Sequence, residues 1–308
     1  MSPAIEVTDL TKRYGDVHAV DGVSFSVEPG EVFAILGPNG AGKSTTVEIL
    51  EGHRKRDGGS VSVLGIDPAK GGRGFRNRVG IVLQSAGIDK ELSVREVLDL
   101  YATAYTHRRP VDEVLDAVEL TEKADARVRS LSGGQQRRVD LALGLIGDPE
   151  LIFLDEPTTG FDPAARRRSW DLVRNLAASG KTVVLTTHYL EEAEQLADRV
   201  AIMSGGRIVA EGTPESLRAN ADGGTVIRFA LPSVGAPLSE LFDPLVGDAS
   251  GRDRRIEIVT PAPTADLAHI TTWAVSHGIE LQGLLVESTN LEDVYLQLVG
   301  DESPEASA

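Results

Sequence analysis

Gly37, Pro38, Asn39, Gly40, Ala41, Gly42, Lys43, Ser44 and Thr45 place three glycines, a lysine and two hydroxyls at the spacing G-x-x-x-x-G-K-[ST]. Glycines let successive backbone N–H groups curl into an anion-binding nest. A helix start adds partial positive charge, Lys43 adds a full one, and Ser44 offers a hydroxyl to Mg²⁺. The context suits that chemistry: the apolar run EVFAIL (31–36) precedes the loop, and STTVEILEG follows with helical spacing. These residues predict a grip for the phosphates of a nucleotide.

The run LIFLDEP supplies a matching acid. Four apolar residues carry Asp155 to the end of a strand, where it can hold the magnesium shell; Glu156 follows at the edge, where a carboxylate can orient and polarise an attacking water. His188 closes another strand run, TVVLTTH, and Gln84 closes VGIVLQ, so both can reach a phosphate held at the same edge. Tyr14 sits in an N-terminal turn, either as an exposed aromatic or as a platform for a base. A second phosphate-type feature is harder to place. LSGGQQRR (131–138) sets Ser132, Gly133 and Gly134 before a helical run, again the layout of an anion-binding helix start.

Such groups need a frame. The apolar runs at 31–36, 79–84, 151–156, 182–187 and 200–212 predict buried strands, and helical patterns at 93–105 and 162–179 lie between them. Apolar strands alternating with helices imply a parallel sheet covered on both faces, with ligands gathered at the carboxyl ends of the strands. After about Leu217 the texture changes. Residues 218–224 (RANADGG) read as a linker, TVIRFAL, RRIEIVT and IELQGLLVES as strands, and PTADLAHITTWAVSHG as a helix. A last helix, TNLEDVYLQLVG, opens on a capping box of Thr289 with Glu292 and sets Leu291, Val294, Tyr295 and Leu298 on one face. The expected division is 1–217, linker 218–224, a small α+β unit at 225–300 and a disordered tail at 301–308. No second glycine-rich loop occurs, so the chain has one nucleotide domain.

Composition narrows the partners. The 308 residues carry 47 acids against 31 bases, a formal net charge of -16. The short basic runs HRKR (53–56) and RRR (166–168) read as solvated faces, so no nucleic-acid partner is expected. With no cysteine, disulfides and thiolate zinc sites are excluded. No segment approaches 18 uninterrupted apolar residues, and the N-terminus lacks a secretory pattern, which points to the cytoplasm.

GPNGAGKST, Gln84, LSGGQQRR, LIFLDEP, GFDP (160–163) and TTH occur in the order of ATP-binding-cassette nucleotide domains, which residues 4–215 resemble. The resemblance implies a P-loop NTPase fold, a RecA-like core with a β-subdomain and a helical subdomain, and ATP with Mg²⁺ as cofactors. It implies that Tyr14 stacks on adenine, that Gln84 joins Ser44 and Asp155 at the metal and senses a membrane partner, that Glu156 is the catalytic carboxylate and that His188 holds the γ-phosphate. Ser132, Gly133, Gly134 and Gln135 then close over ATP held by a second nucleotide-binding subunit, and Asp162 lies in the loop that crosses that interface. Phe161 stands where leucine is commoner. The segments EGHRKRDGGSVSVLGIDP, LSVREVLDLYA and NLEDVYLQLVG look like the cassette subunits of daunorubicin-resistance-type exporters, which work with a separate transmembrane permease. An ATPase subunit, peripheral on the inner face of the membrane, is the expectation.

Overall fold

Apolar strands of four to six residues cannot bury both faces alone, and here they assemble into one six-stranded sheet. The computed structural model describes residues 2–82, 87–220, 225–231, 241–243, 245–252, 255–287 and 291–300. Two compact units divide between Thr213 and Pro214.

In the first unit a three-stranded antiparallel sheet is formed by β1 (Ile5–Tyr14), β2 (Val17–Val27) and β4 (Gly58–Val63), in the order β2-β1-β4. The larger sheet contains β3 (Val32–Leu36), β5 (Val79–Val82), β6 (Leu151–Asp155), β7 (Thr182–Thr187), β8 (Arg199–Ser204) and β9 (Arg207–Gly212). Their order is β5-β6-β7-β3-β8-β9, parallel throughout except for β9. The single strand expected over 200–212 is thus a hairpin, because Gly205 and Gly206 both take positive φ and turn the chain back. Helix α1 (Lys43–Leu50) lends Val47, Ile49 and Leu50 to a core shared with Phe25 of β2, Phe33 of β3 and Phe153 of β6. Each fully buried side chain of this size contributes about 1.5–3 kcal/mol.

Among the described residues, the connection from β5 to β6 carries three α-helices. The short α2 (Arg73–Arg76) precedes β5; α3 (Val94–Ala102), α4 (Val111–Ala117) and α5 (Gly133–Leu145) follow it and pack on one another. Ser93 caps α3 in a reciprocal box with Glu96. Beyond β6 come α6 (Pro163–Ala178), β7 and α7 (Leu190–Leu196).

The second unit begins earlier than the linker reading places it. Residues 214–220 form α8 (Pro214–Asn220), so 218–220 are helical, and residues 221–224 lie outside the described residues. The four-stranded sheet has the order β11-β12-β10-β13, built from β10 (Thr225–Ala230), β11 (Asp248–Arg252), β12 (Arg255–Thr260) and β13 (Gln282–Glu287). Ile227, Phe229, Ile256 and Ile258 meet Ile270 and Trp273 of α9 (Pro263–Ser276). In α10 (Leu291–Val299), which packs on α8, Leu291 and Val294 are buried, whereas Leu298 is 42% exposed and leaves the expected face. Thr289 and the tail 301–308 lie outside the described residues.

Close approach fixes α5 against the edge strand. A Cβ on Gly80 of β5 would lie 2.2 Å from the Gly144 carbonyl oxygen and 2.9 Å from Pro149. Gly80→Ala should therefore destabilise the first unit by about 1–3 kcal/mol. Denaturant unfolding checks this; an unchanged midpoint would mean that α5 is not packed this tightly on β5.

Candidate functional site

The sheet order sets the site. Strands β6, β7 and β3 are neighbours, so Asp155, His188 and the loop 37–45 emerge side by side at one edge. In that loop Gly42 has φ +99°, and a Cβ there would lie 2.2 Å from the Ala19 carbonyl oxygen, so only glycine fits. Asn39 and Gly40 are exposed and Pro38 is half-buried, while Gly37 and Ala41 are buried. Lys43 opens α1, is buried, and donates from Nζ to the carbonyl oxygens of Gly37 (2.7 Å) and Pro38 (3.1 Å). Burial pushes the Lys43 ammonium down in pKa, and the charges of Glu156 and Asp155 oppose that. Ser44 is exposed beside it and Thr45 half-buried.

Asp155 ends β6 and its Oδ1 accepts a hydrogen bond from Thr186 Oγ1 at 2.5 Å. Glu156 then takes φ +45°, a left-handed kink that costs a non-glycine residue about 1–3 kcal/mol. Its N–H is met by both Thr186 O (3.2 Å) and Thr186 Oγ1 (3.1 Å). The kink turns the carboxylate out of the strand: Oε1 lies 3.2 Å from His188 Nδ1, and Oε2 accepts from Thr159 Oγ1 at 3.1 Å. Against an ionised carboxylate, which only accepts, His188 Nδ1 carries the proton.

LSGGQ stands apart from the loop 37–45. Ser132 N-caps α5 in a reciprocal box: its Oγ accepts from Gln135 N–H (3.3 Å), and Gln135 Oε1 accepts from Ser132 N–H (3.0 Å). Ser132 and Gly133 are exposed. Ser132, Gly133, Gly134, Gln135, Glu156 and Asp162 line a cavity of about 980 Å³ to which none of residues 37–45 contributes. Asp162 is exposed and caps α6, accepting from Ala165 N–H at 2.8 Å. Gln84 lies outside the described residues.

One residue here carries no sequence signal of its own. Arg137, within LSGGQQRR, reaches from α5 to the carbonyl oxygens of Asp155 (2.9 Å), Pro157 (3.4 Å) and Glu156 (3.5 Å). Tyr14 ends β1 and is 42% exposed, with the Arg54 guanidinium 5.2 Å and the Lys12 ammonium 5.6 Å from its ring centroid. The basic runs are thus less solvated than expected. Arg54 pairs with Glu48, Arg56 forks onto Asp67 at 2.8 and 2.9 Å, and Arg166 packs over Tyr189 at 4.6 Å. Only a pattern of acids at matching positions, such as Glu48 and Asp67, hints at this.

Phosphate loop, acidic strand end and capped LSGGQ helix together define a P-loop ATPase cassette. Residues 20–159 match the family model described as ABC transporter, and residues 225–289 match that of an ABC transporter domain-containing protein-like, C-terminal domain. The chain is 41% identical to daunorubicin resistance ATP-binding protein DrrA3 of Streptomyces coeruleorubidus, covering 97% of this chain and 96% of that one. It is 39% identical to Nod factor export ATP-binding protein I of Ralstonia nicotianae, covering 98% and 95%. Among solved structures, cbiO1 from Clostridium perfringens, part of the ABC transporter complex cbiONQ, superposes with a TM-score of 0.64 at 28% identity, over 71% of this chain and 92% of that one. The dimeric bacterial ABC transporter cassette MJ0796 superposes with a TM-score of 0.60 at 28% identity, over 68% and 98%. This chain belongs to the ABC transporter family, as an ATP-binding subunit. Cassettes of this family hydrolyse ATP, dimerise and work with transmembrane permeases.

One buried acid near the site bears on stability. Glu51 ends the helix that Lys43 begins and is 6% exposed; burial pushes its pKa up from 4.5 to about 8, helped by the charges of Asp155 and Glu48. The folded chain therefore holds a proton that the unfolded chain releases above pH 4.5, so stability falls as pH rises from there to about 8 and then levels. Glu51→Gln should remove that fall, gaining on the order of 3 kcal/mol relative to wild type between pH 5 and pH 8.5. Parallel pH dependence of the two unfolding midpoints would count against it.

Proposed function

We propose that this chain is the ATP-hydrolysing subunit of an exporter. It closes with a second nucleotide-binding subunit, a second copy of itself, around ATP and drives a drug or other hydrophobic molecule through a separate membrane permease. The observation that supports this most is the division of phosphate chemistry on one chain. Lys43 lies within electrostatic reach of Asp155 and Glu156, while the exposed Ser132 helix start borders a cavity that Glu156 also lines and to which none of residues 37–45 contributes. A grip that its own loop 37–45 does not share suits a nucleotide carried by another subunit.

In this reading the loop from Gly37 to Thr45 holds the phosphates through backbone N–H groups and Lys43, and Tyr14 stacks on adenine with Arg54 and Lys12 beside its ring. Ser44 and Asp155 offer the hard oxygens that Mg²⁺ takes alongside phosphate and water, so the residues fit that ion; Gln84 is the third proposed donor. When bound, Mg²⁺ neutralises phosphate charge. Glu156 accepts a proton from the attacking water, His188 holds the γ-phosphate, and Asp162 sits at the subunit interface with Ser132, Gly133, Gly134 and Gln135. Daunorubicin-resistance and Nod-factor-export cassettes are about equally similar to this chain, which supports placing cargo choice in the permease. The subunit works on the inner face of the cell membrane, held there by that permease.

Two substitutions test the reading. Glu156→Gln should keep ATP binding, lower turnover about 10²–10⁴-fold and trap a dimer visible by size-exclusion chromatography. Normal turnover would remove Glu156 from its role, and a strictly monomeric variant in saturating Mg-ATP would remove the shared site. Lys43→Ala should weaken ATP affinity at least about tenfold by calorimetry; unchanged affinity would overturn the phosphate-loop assignment.

A further inference from the structure

One carboxylate beside the Glu156–His188 pair has no part in the roles above. Glu192, on α7, is fully buried, unlike the exposed Glu191 next to it. Its Oε1 accepts from Thr158 Oγ1 at 2.9 Å and from Trp170 Nε1 at 3.3 Å. Thr158, itself buried, follows Glu156 by two residues; Trp170 lies on α6, the helix that Asp162 caps; and α7 starts two residues after His188. One oxygen atom thus ties together the loop leaving Glu156, the helix behind Asp162 and the turn leaving His188.

Packing alone gives no reason for an acid there. A buried carboxylate costs several kcal/mol unless hydrogen bonds satisfy it, and an apolar residue of the same size fills such a space more cheaply. Among the described residues, Glu192 Oε2 has no hydrogen-bond partner, and neither has the buried Arg166 Nε. Burial pushes the Glu192 carboxyl up in pKa, opposed by the hydroxyls of Thr187 and Thr158, the Trp170 indole and the charge of Arg166. What the acid supplies is the directional acceptor at Oε1.

We propose that Glu192 is a positioning residue for ATP hydrolysis, fixing the spacing of Glu156 and His188 by holding Thr158 and Trp170 against α7. This rests on the roles proposed above for Glu156 and His188. Among the described residues, neither Thr158 nor Trp170 is hydrogen-bonded to the phosphate loop or to Tyr14, so their tie to Glu192 acts on the chemical step and not on nucleotide affinity. A displacement of about 1 Å at a reacting pair costs on the order of 10²-fold in rate.

The test uses the full chain, with steady-state ATPase kinetics and a separate titration with a fluorescent ATP analogue. Glu192→Ala should lower kcat about 10²-fold while Kd stays within about twofold. Glu192→Gln, whose amide oxygen still accepts from Thr158 and Trp170, should recover kcat to within a few-fold. Thr158→Val deletes the donor but leaves the buried acid, and should lower kcat in the same direction with Kd unchanged; it decides the matter even where Glu192→Ala does not fold. Near-wild-type kcat in Thr158→Val, a Gln variant as slow as the Ala variant, or a loss of affinity that matches the loss of rate would each overturn the proposal. Wild-type protein without ATPase activity, or full turnover by Glu156→Gln, would instead sink the functional reading on which it rests.

Discussion

A buried ammonium must find negative partners close by, and Lys43 finds two kinds. Carbonyl oxygens of Gly37 and Pro38, from its own loop, take its hydrogen bonds, and the charges of Glu156 and Asp155 favour it from another strand. The two strands concerned, β3 and β6, are separated in the sheet by β7 alone. At the usual interstrand spacing that is roughly 10 Å, short enough for side chains to act across. More than 100 residues of sequence separate Lys43 from Asp155, and the parallel order β6-β7-β3 closes that distance. An order that set β6 several strands away from β3 would leave the lysine buried without its carboxylates.

The same segment carries the strain. Glu156 takes a left-handed backbone conformation that persists only where its surroundings over-determine it. Here the restraints come from three directions. Thr186 of β7 takes the Glu156 N–H from both its carbonyl and its hydroxyl, Arg137 of α5 gathers the carbonyl oxygens of residues 155–157, and Glu192 of α7 holds Thr158. Burial depresses the pKa of the Arg137 guanidinium, offset by Asp140, Asp155 and Glu192. The helix that begins with LSGGQ is therefore tied to the loop carrying Glu156 in its own chain, even though the cavity at its exposed start is lined by none of residues 37–45.

Much of this was legible in the residues, for a physical reason. Runs such as TVVLTT and LIFLDE are apolar throughout because both faces of a parallel sheet are covered, and that pattern has few competing explanations. The loop 37–45 and the LSGGQ cap are local, so their geometry is written in consecutive residues. What escaped is long-range or turn-encoded. The strands β1, β2 and β4 alternate polar and apolar residues weakly and are interrupted by bulges, so the hairpin beneath Tyr14 had no clean period. The β8–β9 hairpin read as one strand because its two glycines join two short apolar runs, VAIM and IVA, with only Ser204 and Arg207 beside them. The basic run 53–56 looked solvated because its acids, Glu48 and Asp67, stand six and eleven residues from Arg54 and Arg56, outside the i, i+3 and i, i+4 spacings that a sequence pairs readily. Glu192 was invisible for a related reason: a second glutamate in a helix that opens with two looks like surface until its burial is known.

A switch driven by ATP must bind ATP differently in its two states, since a ligand with equal affinity for both shifts nothing. On the proposed reading the difference lies in the second grip. The phosphate loop with Lys43 contacts nucleotide in an open or a closed pair alike, because all of it belongs to one chain. The Ser132 helix start contacts the γ-phosphate only when two subunits meet, so its hydrogen bonds are the differential term. Each good charge-assisted hydrogen bond contributes about 1.5–3 kcal/mol, so two or three of them supply the roughly 5.5 kcal/mol that takes an equilibrium from mostly open to mostly closed. Loss of the γ-phosphate removes that term while leaving the phosphate loop its remaining contacts. The acidic balance of the chain, with a net charge of -16, opposes association of two copies throughout, which favours separation once the bridging phosphate is gone.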